Sequence, residues 1–201
     1  MKSNGAKKRL ILIVLLLALP WMVSVATAAF PPPQGWYVEA NGGYSYATSK
    51  SYGVPNVRRT GSGWNVNLGY KVSTFFSAEA GYTHYFPTRL YNGPKLGQDN
   101  HFSYDLSIKG ILPISDTSLD LFAKVGIARL HSDVVITSPA VAAGTGATPG
   151  TQNVTGFYIA LGGEFYFAPN TAINLQWARA NGNGQTGDLA LYAAGLSYNF
   201  G

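Results

Sequence analysis

Residues 64–72 read Trp-Asn-Val-Asn-Leu-Gly-Tyr-Lys-Val, and every second position is apolar. The apolar positions are Trp64, Val66, Leu68, Tyr70 and Val72, and the residues between them are Asn65, Asn67, Gly69 and Lys71. Successive side chains of a β-strand point to opposite faces, so this stretch predicts a strand with one apolar and one polar face. The fold then depends on which of the two faces is inside.

The same alternation recurs along the chain and predicts eight strands. They cover residues 36–46, 64–72, 76–86, 102–112, 119–130, 155–167, 172–179 and 191–200. The faces opposite the apolar ones are rich in Gly, Ser, Asn and isolated charges. Such faces are typical of a small, crowded lumen.

The connections between these strands alternate in length. Short connections fall at 73–74, 114–118 and 168–171, and long ones at 47–63, 87–101, 131–154 and 180–189. This rhythm is typical of outer-membrane barrels, which have short periplasmic turns and long extracellular loops. The strand lengths also suit a bilayer, which a tilted strand crosses in about 9–11 residues.

Aromatic residues cluster at both ends of the predicted strands, as expected for an apolar face in contact with lipid. The lower set is Trp36, Tyr70, Phe76, Phe165, Phe167, Tyr198 and Phe200; the upper set is Tyr44, Tyr46, Trp64, Tyr82, Phe102, Tyr104, Phe157, Trp177 and Tyr192. The sheet must close, because an open edge in hydrocarbon leaves backbone groups unpaired. The sequence therefore predicts an all-β fold, an eight-stranded antiparallel up-and-down transmembrane β-barrel.

The first 28 residues are typical of a secretory signal peptide. A basic start is followed by the apolar run 10–19 and by Ala26-Thr27-Ala28, a cleavage site of the A-x-A kind. The run is too short for a membrane anchor, which needs about 20 apolar residues. We expect a cleaved signal peptide at 1–28, a short Pro-rich lead-in at 29–35 and the barrel at 36–201, exported to the cell outer membrane of a Gram-negative bacterium.

Charge and cysteine content exclude several classes of function. Four of the 14 Lys and Arg residues, and none of the nine Asp and Glu residues, lie in the predicted signal peptide. The mature chain then carries ten basic and nine acidic residues, a net charge of +1, which gives no support for a nucleic-acid partner. Without cysteine there is no disulfide framework or thiol chemistry. No cofactor is expected.

The polar faces carry charges that would point into the lumen, and these are Glu39, Lys71, Glu79, Lys109, Lys124 and Glu164. The interior of an eight-stranded barrel is just wide enough for its own side chains to fill it. Buried charges need partners, so we expect an ionic network of Glu79, Lys109 and Glu164, with Lys124 nearby. The alternative interpretation of the same residues is a gated polar path or a pair of catalytic carboxylates.

From residue 75 to 201 the chain resembles the transmembrane domain of the OmpA family. The resemblance rests on residues 79–82 (Glu-Ala-Gly-Tyr), 109–120, 163–165 (Gly-Glu-Phe) and 196–201 (Leu-Ser-Tyr-Asn-Phe-Gly). It implies an inner ionic cluster of two glutamates, a lysine and an arginine. Glu79, Lys109 and Glu164 occupy three of these places, and Asn174, with Gln176 two residues on, stands in place of the arginine. The cluster is therefore expected to be weakened or rewired in this chain.

The same resemblance has two further implications. Gly195, Tyr198 and Phe200 resemble the C-terminal signal through which the barrel-assembly machinery, helped by periplasmic chaperones, recognises its substrates. Many members of the family continue into a periplasmic peptidoglycan-binding domain. We expect this chain to be the transmembrane domain only.

Other candidate residues lie near the loop ends of the strands. Arg129 and Arg179 have lipid-facing parity near the outer rim, where they would contact lipopolysaccharide phosphates or simply extend into water. His84, Asp99 and His101 match no metal-ligand motif, so no metal site is expected. His131, Ser132 and Asp133 are hydrolytic residue types, but adjacent residues on a strand point apart, so no catalytic residues are expected.

These observations together predict an integral outer-membrane protein with a structural and surface-interaction role. That role would be envelope integrity, adhesion, or host or phage contact through loops 47–63, 87–101, 131–154 and 180–189. Its expected partners are outer-membrane lipids, lipopolysaccharide and a host or phage surface ligand. The alternatives are a narrow pore for ions or small solutes and, less favoured, an enzyme that modifies lipid A.

Overall fold

The computed structural model describes residues 33–48, 50–54, 56–91, 95–137 and 149–200. The predicted signal peptide at 1–28, the greater part of the lead-in at 29–35 and residues 138–148 of the third predicted loop lie outside the described residues. No helix within the described ranges is long and apolar enough to cross a membrane.

The described residues form nine strands. They are β1 (Gly35–Thr48), β2 (Asn56–Arg58), β3 (Thr60–Ser73), β4 (Phe76–Tyr91), β5 (Lys95–Pro113), β6 (Leu119–Ile136), β7 (Gly150–Ala168), β8 (Thr171–Ala180) and β9 (Asp188–Asn199). All but β2 form one antiparallel barrel in the order β4-β3-β1-β9-β8-β7-β6-β5, which closes where β5 pairs with β4. The predicted eight-stranded barrel is confirmed, and the short β2 pairs with the outer end of β4.

The apolar face of each strand is on the outside. In β3, Trp64 is 46% exposed and Leu68 is 51% exposed, whereas Asn65 and Asn67 are each 1% exposed. Cross-strand aromatic contacts mark both rims, with Trp36 against Tyr70 at the periplasmic end and Trp64 against Tyr82 at the outer end. The polar residues of the pattern therefore line the lumen, as predicted.

The strands continue beyond the predicted boundaries, so the predicted loops 47–63, 87–101, 131–154 and 180–189 were too long. β4 runs to Tyr91 and β5 begins at Lys95, which leaves only residues 92–94 between them. Above the membrane the outward face no longer contacts lipid, so the apolar alternation ends although the backbone ladder continues. Pattern alone could not follow the sheet past that point.

The periplasmic turns agree with the prediction to within two residues. Only two residues separate β3 from β4, and two separate β7 from β8. In the β5–β6 turn Asp116 has a φ of 59°, a left-handed conformation that Asp tolerates better than most residues. The tight turns fix which strands are neighbours and hence which inward side chains meet.

The barrel wall is uneven in height. β4 to β7 contain 16, 19, 18 and 19 residues, whereas β8 and β9 contain 10 and 12, and β1 and β3 contain 14 each. The periplasmic ends are joined by short turns, so the extra length of β4 to β7 extends on the outer side.

Candidate functional site: the lumen

Lys109 lies at the centre of the lumen and contacts three carboxylates. Its Nζ donates to Glu164 Oε1 at 2.5 Å and lies 3.5 Å from Glu79 Oε1 and 3.6 Å from Glu39 Oε2. The lysine is 1% exposed, so these charges replace the water that it would otherwise bind. The predicted meeting of Glu79, Lys109 and Glu164 is therefore present in the structure.

Lys124 belongs to the same network, and so does Glu39. Lys124 Nζ lies 2.6 Å from Glu79 Oε2 and 3.3 Å from Glu39 Oε1. We call Glu39, Glu79, Lys109, Lys124 and Glu164 the ionic network. The sequence placed Glu39 on the inward face, but the predicted network omitted it, because inward parity does not give a side chain's height in the barrel.

The second lysine explains how the network does without an arginine at position 174. Asn174 is fully buried, and neither its Oδ1 nor its Nδ2 has a hydrogen-bond partner among the described residues. Lys124, from β6, supplies the second positive charge instead. The expected rewiring therefore consists of a cation that comes from a different strand.

Aromatic rings fill the space around the two lysines. Phe122 points inward, with Lys109 Nζ 4.4 Å and Lys124 Nζ 5.2 Å from its ring centroid. Tyr37 donates from its hydroxyl to Glu79 Oε1, and its ring lies 5.3 Å from Lys109 Nζ. An ammonium over a ring face gains cation–π energy, so these rings stabilise the charges as well as filling volume.

A layer of amide side chains lies directly above the ionic network. Asn41 Nδ2 donates to Glu39 Oε1 at 2.8 Å and to Asn65 Oδ1 at 2.9 Å. From β8, Gln176 Nε2 donates across the lumen to the same Asn65 oxygen at 3.2 Å. Asn67 Nδ2, from β3, donates to Glu39 Oε1 at 2.9 Å. These bonds tie β1, β3 and β8 together across the lumen.

Little free space remains below the network. The cavity between Tyr37, Lys71, Lys109, Glu164 and Tyr166 has a volume of about 10 Å³. A cavity needs at least roughly 10–15 Å³ to hold a single water molecule. Above the amide layer, Tyr85, Leu130, Tyr158 and Leu191 belong to a buried apolar cluster. The described lumen is thus filled in successive layers.

At the outer end of the barrel, the first loop is bound to one buried aspartate. Asp99 is fully buried and accepts from Lys50 Nζ at 2.6 Å and from Tyr52 OH at 2.8 Å, both on Oδ2. Ser132 Oγ donates to its Oδ1 at 2.7 Å, and His101 Nε2 lies 3.6 Å from its Oδ2. We call Lys50, Tyr52, Asp99, His101 and Ser132 the outer cluster.

Tyr52 lies in the loop, outside the spanning segments. Burial, and then the Asp99 carboxylate, raise the pKa of the Tyr52 phenol well above its ordinary value of 10. The phenol therefore remains a hydrogen-bond donor to Asp99 at any physiological pH. Tyr52 also packs with Leu90 and Leu96, so the loop is held by apolar contact as well as by charge.

The predicted lipopolysaccharide contacts differ from each other. Arg129 is exposed on the outward face of β6, opposite Tyr104 and Thr155 of the neighbouring strands. Arg179 Nη2 donates to Asp188 Oδ2 at 2.9 Å, so part of its guanidinium is already paired within the protein. Of the two, Arg129 presents the freer guanidinium to a lipid phosphate.

The predicted assembly-signal residues all lie on or just after β9. Tyr198 and Phe200 are exposed on the outer face near the periplasmic rim, with ring centroids 5.3 Å apart. Gly195 faces inward, where a Cβ would lie 2.0 Å from the Ala40 carbonyl oxygen and 2.2 Å from Asn41 Oδ1. A glycine at this position lets β9 approach β1 closely where the barrel's first and last strands pair.

The histidines do not converge. His84 stacks on Trp64 outside the barrel, whereas His101 is buried inside, beside Thr88 Oγ1 at 3.1 Å. His131 stacks on Phe102 on the outside, while its neighbour Ser132 points inward to Asp99. Across the ranges that the structure describes, no group of three or more His, Cys, Asp or Glu side chains could hold a metal ion.

The model of one protein family matches the chain over residues 13–200, and that family is described as the outer membrane protein beta-barrel domain. The chain therefore belongs to the outer membrane β-barrel proteins, which agrees with its closed barrel and its aromatic rims. Its location is the outer membrane. A search of the curated proteins finds no match.

Several solved structures share the fold. The outer membrane protein OprG from Pseudomonas aeruginosa matches at a TM-score of 0.61 and 10% identity, over 85% of this chain and 98% of that one. Neisserial surface protein A matches at a TM-score of 0.59 and 15% identity, over 83% of this chain and 97% of that one. Ail, the attachment invasion locus protein of Yersinia pestis, matches at a TM-score of 0.53 and 14% identity, over 83% of this chain and 99% of that one. Ail has also been crystallised with the heparin analogue sucrose octasulfate.

Proposed function

We propose that this protein is a non-conducting outer-membrane barrel whose transmembrane part is structural and whose outer end contacts surface ligands. The non-conducting part of the proposal rests on the filling of the lumen by the ionic network, the amide layer and the apolar cluster. An ion would have to separate Lys109 from three carboxylates to pass. Separating such a pair in a low-dielectric interior is strongly unfavourable.

Planar-bilayer recording of the refolded protein tests the non-conducting half. We expect the wild-type barrel to give no steady, reproducible openings in symmetrical salt. A Lys109→Met variant that still folds would be the matched comparison, since it removes the central cation without shortening the side chain much. Steady unitary openings of the wild-type protein would overturn the proposal in favour of a narrow pore.

The surface half of the proposal rests on a basic patch at the outer end, formed by Arg58 and Arg89. Arg58 of β2 pairs with Arg89 of β4, and both guanidinium groups lie over the ring of Phe86, at 5.3 and 4.9 Å. Like charges directly opposite each other in a sheet repel. An anionic ligand between the two arginines would relieve that repulsion, so we propose an anionic surface ligand.

The ligand chemistry of one neighbour agrees with this proposal. Ail from Yersinia pestis is named for attachment, and its structure with sucrose octasulfate contains a sulfated ligand. We expect the intact protein in detergent to be retained on immobilised heparin and to be released by NaCl. Arg58→Gln should elute at lower salt, whereas Arg129→Gln, which removes one exposed arginine from β6, away from the patch, should elute as the wild type does. Equal elution of all three proteins would contradict a role for the patch.

We propose no enzymatic activity. The hydrolytic residue types at 131–133 are split between the two faces of β6, and Ser132 is fully buried against Asp99. A nucleophile has to reach its substrate. Unchanged lipid A masses in cells that express the protein would agree with this, and a mass shift that depends on Ser132 would contradict it.

A further inference from the structure

Asp105 is a buried carboxylate that the ionic network leaves out. It lies on the inward face of β5 and is 4% exposed, and its Oδ1 has no hydrogen-bond partner among the described residues. None of the ion pairs within the described ranges includes it. An unpaired carboxylate in a low-dielectric interior is costly, so its charge requires an explanation.

A second unpaired acceptor faces the same point. Asn67 Nδ2 donates to Glu39 Oε1 at 2.9 Å, which fixes the orientation of the amide and turns Oδ1 the other way. That oxygen also has no partner among the described residues. Asn67 and Asp105 are the two cross-strand neighbours of Gly81, one on each side.

Because Gly81 has no side chain, the two oxygens approach its backbone closely from either side. A Cβ built at Gly81 would clash with both, at 2.5 Å from Asn67 Oδ1 and 2.6 Å from Asp105 Oδ1. Two acceptors cannot bond to each other, so this pair of oxygens suits a positively charged or donating partner. Two more buried oxygens nearby, Ser107 Oγ and Tyr158 OH, also lack partners within the described ranges.

The charge balance of the lumen points the same way. Below the outer cluster, the described residues include eight buried charged side chains, five acidic and three basic. They are Glu39, Glu79, Asp105, Asp120 and Glu164, and Lys71, Lys109 and Lys124. If all are ionised, the lumen carries an excess of two negative charges. A single positive charge shared by Asp105 and Asn67 would halve that excess.

We propose that Asp105 and Asn67 share one positive charge beside Gly81, supplied by a proton or by a monovalent metal cation. One carboxylate with an amide and hydroxyl groups is too weakly charged for a divalent ion, whose sites are usually built from several carboxylates. The charged groups that face Asp105 are Lys124, Glu79 and Glu39, and the phenols of Tyr85 and Tyr158 lie close to it. Lys124 is already paired with the two glutamates, so it does not neutralise Asp105 as well.

The test is the unfolding equilibrium of the full barrel in detergent, measured by urea titration. In one arm NaCl or KCl replaces N-methylglucamine chloride at constant ionic strength; in the other the pH is varied in N-methylglucamine chloride alone. If a metal cation binds, the folding equilibrium constant should rise up to tenfold for each tenfold increase in cation above its Kd. If a proton binds, the wild type should gain up to tenfold per unit fall in pH relative to Asp105→Asn.

Asp105→Asn should lose whichever response the wild type shows, because an asparagine can donate to Asn67 Oδ1 without an added charge. Asp120→Asn is the matched control: it removes the same charge elsewhere in the lumen and should keep the response. If Asp105→Asn does not fold, Gly81→Ala, whose methyl group would displace the two oxygens, should lose the response while all the charges remain. Identical behaviour of wild type and variants in both arms would mean a neutral occupant and would overturn the proposal.

Discussion

The ionic network and the outer cluster use the same chemistry in two different settings. In the network, Lys109 and Lys124 connect glutamates of β1, β4 and β7 through the middle of a closed barrel. In the outer cluster, Lys50 connects a loop to Asp99 on the barrel wall. The first set of contacts can separate only if strands move apart. The second can separate if one loop lifts, so it can open while the barrel stays folded.

The largest effect should follow from Lys109→Met, which tests the network half of the comparison. It leaves three carboxylates close together without their shared cation, and breaking a buried ion pair by removing one partner costs about 3–5 kcal/mol. The free energy of unfolding, from urea titration in lipid vesicles, should fall by about that amount. Lys95→Met, on the exposed outer end, should change it little. Equal losses in the two variants would show that the network does not stabilise the fold.

An intermediate effect, confined to one loop, should follow from Lys50→Met. This change removes the charged donor from Asp99, while Tyr52 and Ser132 still donate to that carboxylate. Trypsin cleavage at Arg58 and Arg59 on intact cells should become faster, because the loop leaves the barrel wall more often. The free energy of unfolding should change far less than in Lys109→Met. If the free energy of unfolding fell as much in Lys50→Met as in Lys109→Met, the outer cluster and the ionic network would not differ in the way described.

The smallest effect should follow from Arg179→Gln, which extends the comparison to a pair near water. The Arg179 side chain is 41% exposed, and solvent screens its pairing with Asp188. Exposed pairs contribute about 0–1 kcal/mol, so the unfolding free energy should stay within that range of the wild type. A loss approaching that of Lys109→Met would mean that burial is not what separates these sites.

Alternation predicted the barrel well because lipid on one side and a crowded lumen on the other impose opposite chemistry on successive residues. The same rule failed above the membrane, where both faces of β4 and β5 tolerate polar residues. It also predicted that Glu39 faces the lumen, but not its level along the barrel axis, so Glu39 was missing from the predicted network. Height requires the strand register, which depends on hydrogen bonds that no local pattern records.

The outer cluster had no signal in the sequence. Lys50 and Asp99 are 49 residues apart, and neither lies in a motif that requires the other. Asn67 and Asp105 converge on Gly81 only because three strands pair in one register. Such sites follow from closure of the sheet, and closure is a property of the whole chain.

The uneven wall has a consequence for how the molecule meets its surroundings. At about 3.3 Å per residue and a tilt near 45°, the 19 residues of β5 rise roughly 44 Å, whereas the ten of β8 rise roughly 23 Å. The rim is therefore a slope, and the barrel has a tall side and a low side. A flat surface that approaches from outside the cell touches the tall side first. A neighbouring membrane protein reaches the outer end of the barrel at the level of the membrane surface only on the low side. The rotation of this protein about the membrane normal therefore decides which side a neighbour meets.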